Sequence, residues 1–216
     1  MPTIPYKNAK GERVSGVTTI ISGNLGWNKG ALMYWSWSEG MAKRDFRKTR
    51  DKAADAGTVG HYLIDCHVKG VTADVKNVAP EILGLAETCF LNFLEWADLF
   101  QFQAVATEVH LVSEKYQYGA TPDCIAMVRV KRALLDWKTG NGVYADHLIQ
   151  LAAYRQAWEE VHPDQPIEGG FHLLQIGKED AGFHHHHWGS LPDAWTAFVH
   201  LLELNKLKKK LEKMGG

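Results

Sequence analysis

The sequence predicts a mixed α/β (α+β) domain, a central mixed β-sheet that contains an antiparallel meander and is flanked by helices. Three observations predict it. Apolar residues recur at helical spacing over residues 80–100 and 144–161, and the period falls to two between residues 103 and 138. Hydrophobic residues are 45% and charged residues 23% of the 216, the balance of one core of ordinary size. No internal repeat and no linker rich in Pro, Gly or Ser divides the chain, so residues 1–216 are expected to form a single domain. Within it, residues 1–56 read as an N-terminal arm and basic helix, 57–190 as the core and 191–216 as a lysine-rich closing helix.

Taken in order, Pro2 and Pro5 open the chain, and the β-branched run Val17-Thr-Thr-Ile-Ile-Ser22 between glycines predicts a short strand or extended arm. From about Lys29 to Thr49 the pattern turns helical, with Leu32, Met33, Trp35 and Trp37, then a basic run in which Lys43, Arg44, Arg47, Lys48, Arg50 and Lys52 meet only two acids. A second helix is expected from near Thr58, after the turn-prone Gly57, to Gly70. A third spans Pro80 to Phe100, with Ile82, Leu85, Phe90, Leu94 and Trp96 as its apolar stripe, and the two should cover one face of the sheet. Val105, Thr107, Val109 and Leu111 alternate with Ala106, Glu108 and His110, which predicts a strand. A turn over Glu114 to Gly119 leads to Cys124–Val128 and, after a four-residue loop Arg129–Arg132, to Leu134–Lys138, completing the meander. Thr139–Gly142 breaks the pattern; Tyr144 to Val161 reads as a helix, Phe171–Ile176 and Gly182–Trp188 as strands, and Leu191 to Met214 as the last helix.

Lys and Arg number 24 against 25 Asp and Glu, so any attraction to nucleic acid has to come from local patches. Cys66, Cys89 and Cys124 are too few and too widely spaced for a disulfide framework or a four-cysteine zinc or iron–sulfur centre. The opening residues lack a charged start, an apolar stretch and a cleavage site, and no apolar run approaches the ~18 residues of a membrane span, so a cytosolic protein with no membrane partner is expected. Without a Walker A pattern nothing points to ATP-driven translocation.

The chemistry concentrates in the predicted hairpin. With a four-residue loop, Asp136 would face Ile125 and Lys138 would face Asp123. Alternation then puts Asp123, Asp136 and Lys138 on one face, the two aspartates offset by roughly 7 Å along the strands. Carboxylates on neighbouring strands repel unless a cation sits between them, and a hard divalent ion is the natural solution. Lys138 would direct an ammonium at the same spot, where it stabilises charge on a phosphate or an attacking hydroxide; water activated by the metal would be the nucleophile. The bland alternative is an exposed Asp-Lys pair at a sheet edge, but Leu134 and Leu135 make this strand read as central.

In this order the chain carries Gly57-Thr-Val-Gly-His61, Glu108, Gly119-Ala-Thr-Pro-Asp123, Asp136-Trp-Lys138-Thr-Gly and Gln150-Leu-Ala-Ala-Tyr154. That ordered set, over residues 57–154, resembles the PD-(D/E)XK nucleases and, within them, the RecB-like and virus-encoded exonuclease branch. The resemblance implies a restriction-endonuclease-like core and a deoxyribonuclease, an exonuclease dependent on Mg²⁺ or Mn²⁺, in phage-type DNA recombination, repair or replication. It implies Asp123, Asp136, the main-chain carbonyl of Trp137 and His61 as metal ligands, and Lys138 as the catalytic lysine. Gln150 and Tyr154, four apart on one helix face, would contact substrate or support the lysine, and Glu108 would bind or orient the metal shell. Asp65, one helical turn beyond His61, is expected to accept a hydrogen bond from the ring nitrogen turned away from the metal.

DNA, as a single strand or a duplex end, is then the expected partner, flanked by the basic helix around Lys43, Arg44, Arg47, Lys48 and Arg50 and by the lysine-rich C-terminus. For Trp27, Trp35 and Trp37 packing is the first expectation and stacking on unpaired bases the second. His184–His187 reads as a strand or turn with exposed imidazoles, because strand neighbours point to opposite faces and at most two could meet one ion. Two further classes compete: a nonenzymatic DNA-binding or assembly module on the same fold, and a histidine-rich protein whose zinc binding would survive loss of Asp123 and Asp136.

Overall fold

A computed structural model describes residues 4–140, 142–178 and 182–215. Pro2, of the opening stretch, and Asn141, of the break after Lys138, lie outside the described residues. After the two-residue strand β1 (Ser15–Gly16), the β-branched run forms helix α1 (Val17–Asn24) instead of the expected strand. Coiling places Val17, Ile20 and Ile21 on one stripe, and all three are buried, so packing overrides local propensity. Helix α2 (Lys29–Met41) closes in a turn where Lys43 has φ 56°. The buried Glu39 holds that turn by accepting hydrogen bonds from Arg44 at 2.6 and 2.9 Å and from Thr49 at 3.1 Å.

Helix α3 (Phe46–Val68) is capped by the Asp45 side chain, which accepts the Arg47 N–H, so the start expected near Thr58 falls in mid-helix. Gly57 is no turn. A Cβ there would come within 2.7 Å of Thr139 Oγ1, and one on Gly60 within 3.3 Å of Cys89 Cβ, so both glycines allow close approach of neighbouring elements. Helix α4 (Pro80–Leu99) begins, as expected, with proline in its first turn.

The single strand expected over residues 103–111 is two strands in two sheets. β2 (Phe102–Thr107) stops where Glu108 enters the left-handed region at φ 50°, and the chain turns into β3 (Leu111–Ser113), which pairs with β4 (Tyr118–Ala120). The small sheet runs β1-β4-β3. The large one runs β2-β5-β6-β7-β8, with β5 (Cys124–Val128), β6 (Lys131–Lys138), β7 (Phe171–Ile176) and β8 (Phe183–Trp188). Strands β2, β5 and β6 form the antiparallel meander; helix α5 (Ala145–Val161) carries the chain over to β7, parallel to β6, and β8 returns antiparallel. The sheet is therefore mixed, and helices cover both faces. On one side Ile64, Phe93 and Trp96 of α3 and α4 pack against Leu135, Trp137 and Leu174. On the other, Ile20, Leu151 and Phe198, from α1, α5 and the closing α6 (Pro192–Gly215), pack against Ile125, Leu134 and Leu173. Among the described residues no helix is long and apolar enough to cross a membrane.

Register differs from expectation in the β5–β6 hairpin. Its loop is Arg129–Val130, with Arg129 at φ 57°, because Lys131 and Arg132 continue the ladder opposite Val128 and Met127. Cys124 pairs with Leu135, so Asp123 and Asp136 follow directly opposite each other and not two residues apart. A slip of two changes partners without changing faces, so the carboxylates still share one face and lie closer than the sequence suggested.

Candidate metal centre

The site forms where β2, β5 and β6 end together. Asp123 is delivered by Gly119–Pro122, which the N-terminal arm clamps: a Cβ on Gly119 would overlap the Tyr6 ring. That ring stacks on His110 at 4.1 Å, and its hydroxyl shares a 2.8 Å hydrogen bond with Thr121 Oγ1. Asp123 Oδ2 accepts the Trp137 N–H at 2.8 Å, while its carbonyl accepts the Glu108 N–H at 3.2 Å, so one residue ties the three strand ends. The close approach of Gly57 to Thr139 brings α3 to the end of β6, and His61, one turn on, places Nδ1 at 3.7 Å from Asp123 Oδ2. Ligating atoms of His61, Glu108 and Asp123 lie within 4.8 Å of one another.

Asp136 is 1% exposed. Its Oδ2 lies 2.6 Å from Lys138 Nζ, and apart from that ion pair neither oxygen accepts a hydrogen bond among the described residues. Lys138 Nζ also donates to Gln150 Oε1 at 3.2 Å, and Gln150 Nε2 donates to the buried Tyr154 hydroxyl at 2.6 Å. The ammonium only donates, so it fixes the amide with its oxygen toward Lys138 and its nitrogen toward the Tyr154 hydroxyl.

Crowding of acids shows in the protonation equilibria. Desolvation first, and Asp136 second, push the Asp123 carboxyl above the ordinary range, with His61 and Lys138 opposing. Glu108 is pushed up to about 7, by desolvation and then by Asp123 and Asp65. Burial works against the Lys138 ammonium more than any other influence, yet Asp136 and Asp123 together hold it above the ordinary lysine range. Burial, then Asp136 and Asp123, keep the Tyr154 hydroxyl firmly protonated. One imidazole and three carboxylates, those of Glu108, Asp123 and the buried Asp136, share a single ammonium and fit a divalent cation, which would relieve the repulsion and give the Asp136 oxygens a further partner.

The structure thus brings together His61, Glu108, Asp123, Asp136, Lys138, Gln150 and Tyr154. Trp137 contributes its peptide to the site, and its indole packs into the opposite core at 5.2 Å from the Phe93 ring. Asp65 does not hold His61; its two oxygens accept instead from Thr107 Oγ1 and Lys69 Nζ, both at 2.8 Å. Of the basic run, Arg44 is taken by Glu39 and Arg50 by Asp51, while Lys43, Arg47 and Lys48 are exposed and outside any ion pair among the described residues. Lys43 and Arg44 sit in the turn before α3, not on a helix. The histidine tract corrects another expectation. His184 and His187 are exposed, but His185 is half-buried, its ring 4.4 Å from that of Phe100 and 4.9 Å from that of His172.

Asp146 was not singled out by sequence. It lies in the first turn of α5, within electrostatic reach of Lys138, with one buried oxygen that accepts no hydrogen bond among the described residues. The signal was its spacing, since Asp146, Gln150 and Tyr154 recur every four residues on one helix face.

No protein-family model matches the chain, and no curated protein matches it. One solved structure, "Crystal structure of SSO0001", aligns with 58% of this chain and 59% of its own length, at 20% identity and a TM-score of 0.35. The chemistry of the site therefore has to be argued from its own geometry.

Proposed function

We propose that this chain is a metal-dependent deoxyribonuclease of the PD-(D/E)XK kind, an exonuclease acting on DNA ends. The observation that carries the reading is a buried Asp136, directly opposite Asp123, whose oxygens have no partner among the described residues beyond the Lys138 ammonium 2.6 Å away. One ammonium between two facing carboxylates leaves a surplus of buried negative charge, which is destabilising without a further cation. Asp123, Asp136 and His61, with Glu108 and the Trp137 carbonyl beside them, would hold Mg²⁺ or Mn²⁺, which supplies Lewis acidity toward water and countercharge for a phosphate.

The protein's own groups do the rest. Lys138 stays protonated and offers N–H donors to a phosphoryl oxygen, stabilising the charge that develops as a water oxygen bonds to phosphorus and the bond to the departing sugar oxygen breaks. Gln150 accepts a hydrogen bond from the ammonium and so fixes the direction of its other N–H bonds, and Tyr154 holds Gln150. The exposed Lys43, Arg47 and Lys48 supply a local basic patch on a chain with a net charge of −1. Such an enzyme belongs with DNA in the cytoplasm, that of a bacterial host if a phage encodes it, in recombination, repair or replication.

The test is degradation of end-labelled single-stranded and duplex DNA, linear and circular, with Mg²⁺, Mn²⁺ or EDTA, beside Asp136→Ala and Lys138→Ala proteins. Metal-dependent cleavage of linear DNA, lost in both variants and sparing circles, is expected. Intact DNA binding by folded wild type without cleavage of any substrate would leave a nonenzymatic DNA-binding module instead.

A further inference from the structure

Helix α2 turns its apolar residues outward. Glu39 is its one buried residue, and Trp27, Leu32, Met33, Tyr34, Trp37 and Met41, on the helix and just before it, are 58–71% exposed. Of the aromatic residues here only Trp35 packs inward, edge-on to Phe46 at 6.2 Å. Tyr34 and Trp37 lie side by side with ring centroids 5.6 Å apart and planes tilted by 38°, too close to admit a base between them, so each offers its outer face. A surface of this kind is unfavourable in water unless something covers it.

Its surroundings say what does. At one end the N-cap Asn28 reaches Asp146 Oδ2 at 3.5 Å, and Asp146 lies within electrostatic reach of Lys138 in the helix that carries Gln150 and Tyr154, so the start of α2 is tied to the side of the carboxylate site. At the other end the chain runs into Lys43, Arg47 and Lys48, exposed and outside any ion pair among the described residues. Aromatic faces spaced between the proposed phosphodiester site and exposed cations suit a ligand with stackable rings on an anionic backbone, and a duplex hides those rings. We propose that α2 is a stacking platform for unpaired nucleotides of DNA, with bases on Trp27, Tyr34 and Trp37 and phosphates on Lys43, Arg47 and Lys48. This rests on the nuclease reading and names the substrate class it leaves open, a single-stranded segment entering along α2. Thirteen residues give about 20 Å of platform, enough for a few nucleotides.

The test is binding of labelled oligo(dT), and of a blunt hairpin duplex, in EDTA so that nothing is cleaved. Wild type should prefer oligo(dT), with quenching of tryptophan fluorescence. The Tyr34→Ala/Trp37→Ala protein should lose about tenfold or more in oligo(dT) affinity, with a smaller loss on the duplex, and Trp37→Phe alone should keep most of it. Equal affinity of the double variant and wild type, or no oligo(dT) binding by wild type, overturns the inference. So does a concentration-dependent dimer in sedimentation that the double variant disperses, which would make a second copy the occupant. Wild type that binds oligo(dT) as described yet cleaves no DNA with Mn²⁺ sustains the platform and removes the nuclease reading, so the two failures are distinct.

Discussion

Two polar clusters are built around the same parallel strands, one where β6 ends and the other where β7 begins, and they solve burial in opposite ways. At the start of β7, His172 Nδ1 lies 2.8 Å from His185 Nε2, while His172 Nε2 and His187 Nε2 lie 3.2 and 2.9 Å from the Gly169 carbonyl. A carbonyl only accepts, so both Nε2 atoms there carry protons, His172 Nδ1 is the acceptor and His185 Nε2 the donor. One set of tautomers satisfies that chain with every ring neutral. At the end of β6, Asp136 keeps two buried oxygens with no hydrogen bond beyond the Lys138 ion pair. What separates the two clusters is thus unmet hydrogen bonds and surplus charge, not residue type. Four consecutive histidines look like a metal tract, yet hydrogen bonds among neutral rings account for His172, His185 and His187; two aspartates look ordinary, yet on the proposed reading they hold the ion.

The largest expected effect breaks the acidic cluster. Asp136→Asn should weaken Mn²⁺ binding by at least about 100-fold in calorimetric titration and bring DNA hydrolysis to background. His172→Gln, in contrast, should leave the stoichiometry of tight Mn²⁺ binding as it is. Next comes Lys138→Met, expected to lower hydrolysis by about 10²–10³-fold while metal affinity stays equal or rises, because an ammonium 2.6 Å from Asp136 competes with a cation. Weaker metal binding in Lys138→Met would mean that the lysine organises the site before the ion arrives.

The two clusters should also respond to acid with opposite sign. Desolvation and the neighbouring imidazoles lower His172 and His185 from 6.5 to about 4, so the folded state prefers neutral rings. The stability they contribute is complete above pH 6.5 and is lost as pH falls from 6.5 to 4, about 3 kcal/mol for the buried His172 alone. Glu108 is raised from 4.5 to about 7, so its contribution is complete below pH 4.5 and is lost as pH rises through 7. Thermal melts of metal-free protein between pH 4 and 8 separate them. His172→Phe should flatten the acid limb, and Glu108→Gln should raise Tm above pH 7 while weakening Mn²⁺ binding. No change of slope in His172→Phe would show that this pair does not set acid stability. The smallest effect is expected of Gln150→Ala, roughly a tenfold drop in hydrolysis as Lys138 loses its restraint.

Much of this was legible in the sequence wherever a period or a spacing was strong. Helix α4 and helix α5 follow from apolar recurrence, the meander follows from alternation except for the end of β2 and the hairpin register, and Asp123, Asp136 and Lys138 share a face because alternation survives any even slip of register. The misreadings fall where local signals compete with packing. Val17–Ser22 is rich in β-branched residues yet coils, since a helix buries Val17, Ile20 and Ile21 together. Gly57 reads as a turn because sequence shows its freedom and not Thr139, which needs the space. Glu108 reads as mid-strand, whereas its positive φ ends β2 and leaves its carboxylate beside His61 and Asp123.

By itself, then, the sequence determined the mixed α/β class, the faces of the core elements and the chemical identity of the acidic residues, because these depend on short-range periodicity and on composition. Only the tertiary structure decided the pairing of Asp123 with Asp136, the meeting of α3 with the strand ends, the neutral tautomers of His172 and His185 and the outward turn of α2. Each of those depends on which distant residues share a small volume, and burial there changes the free energy of a charge or a hydrogen bond by more than any local preference does.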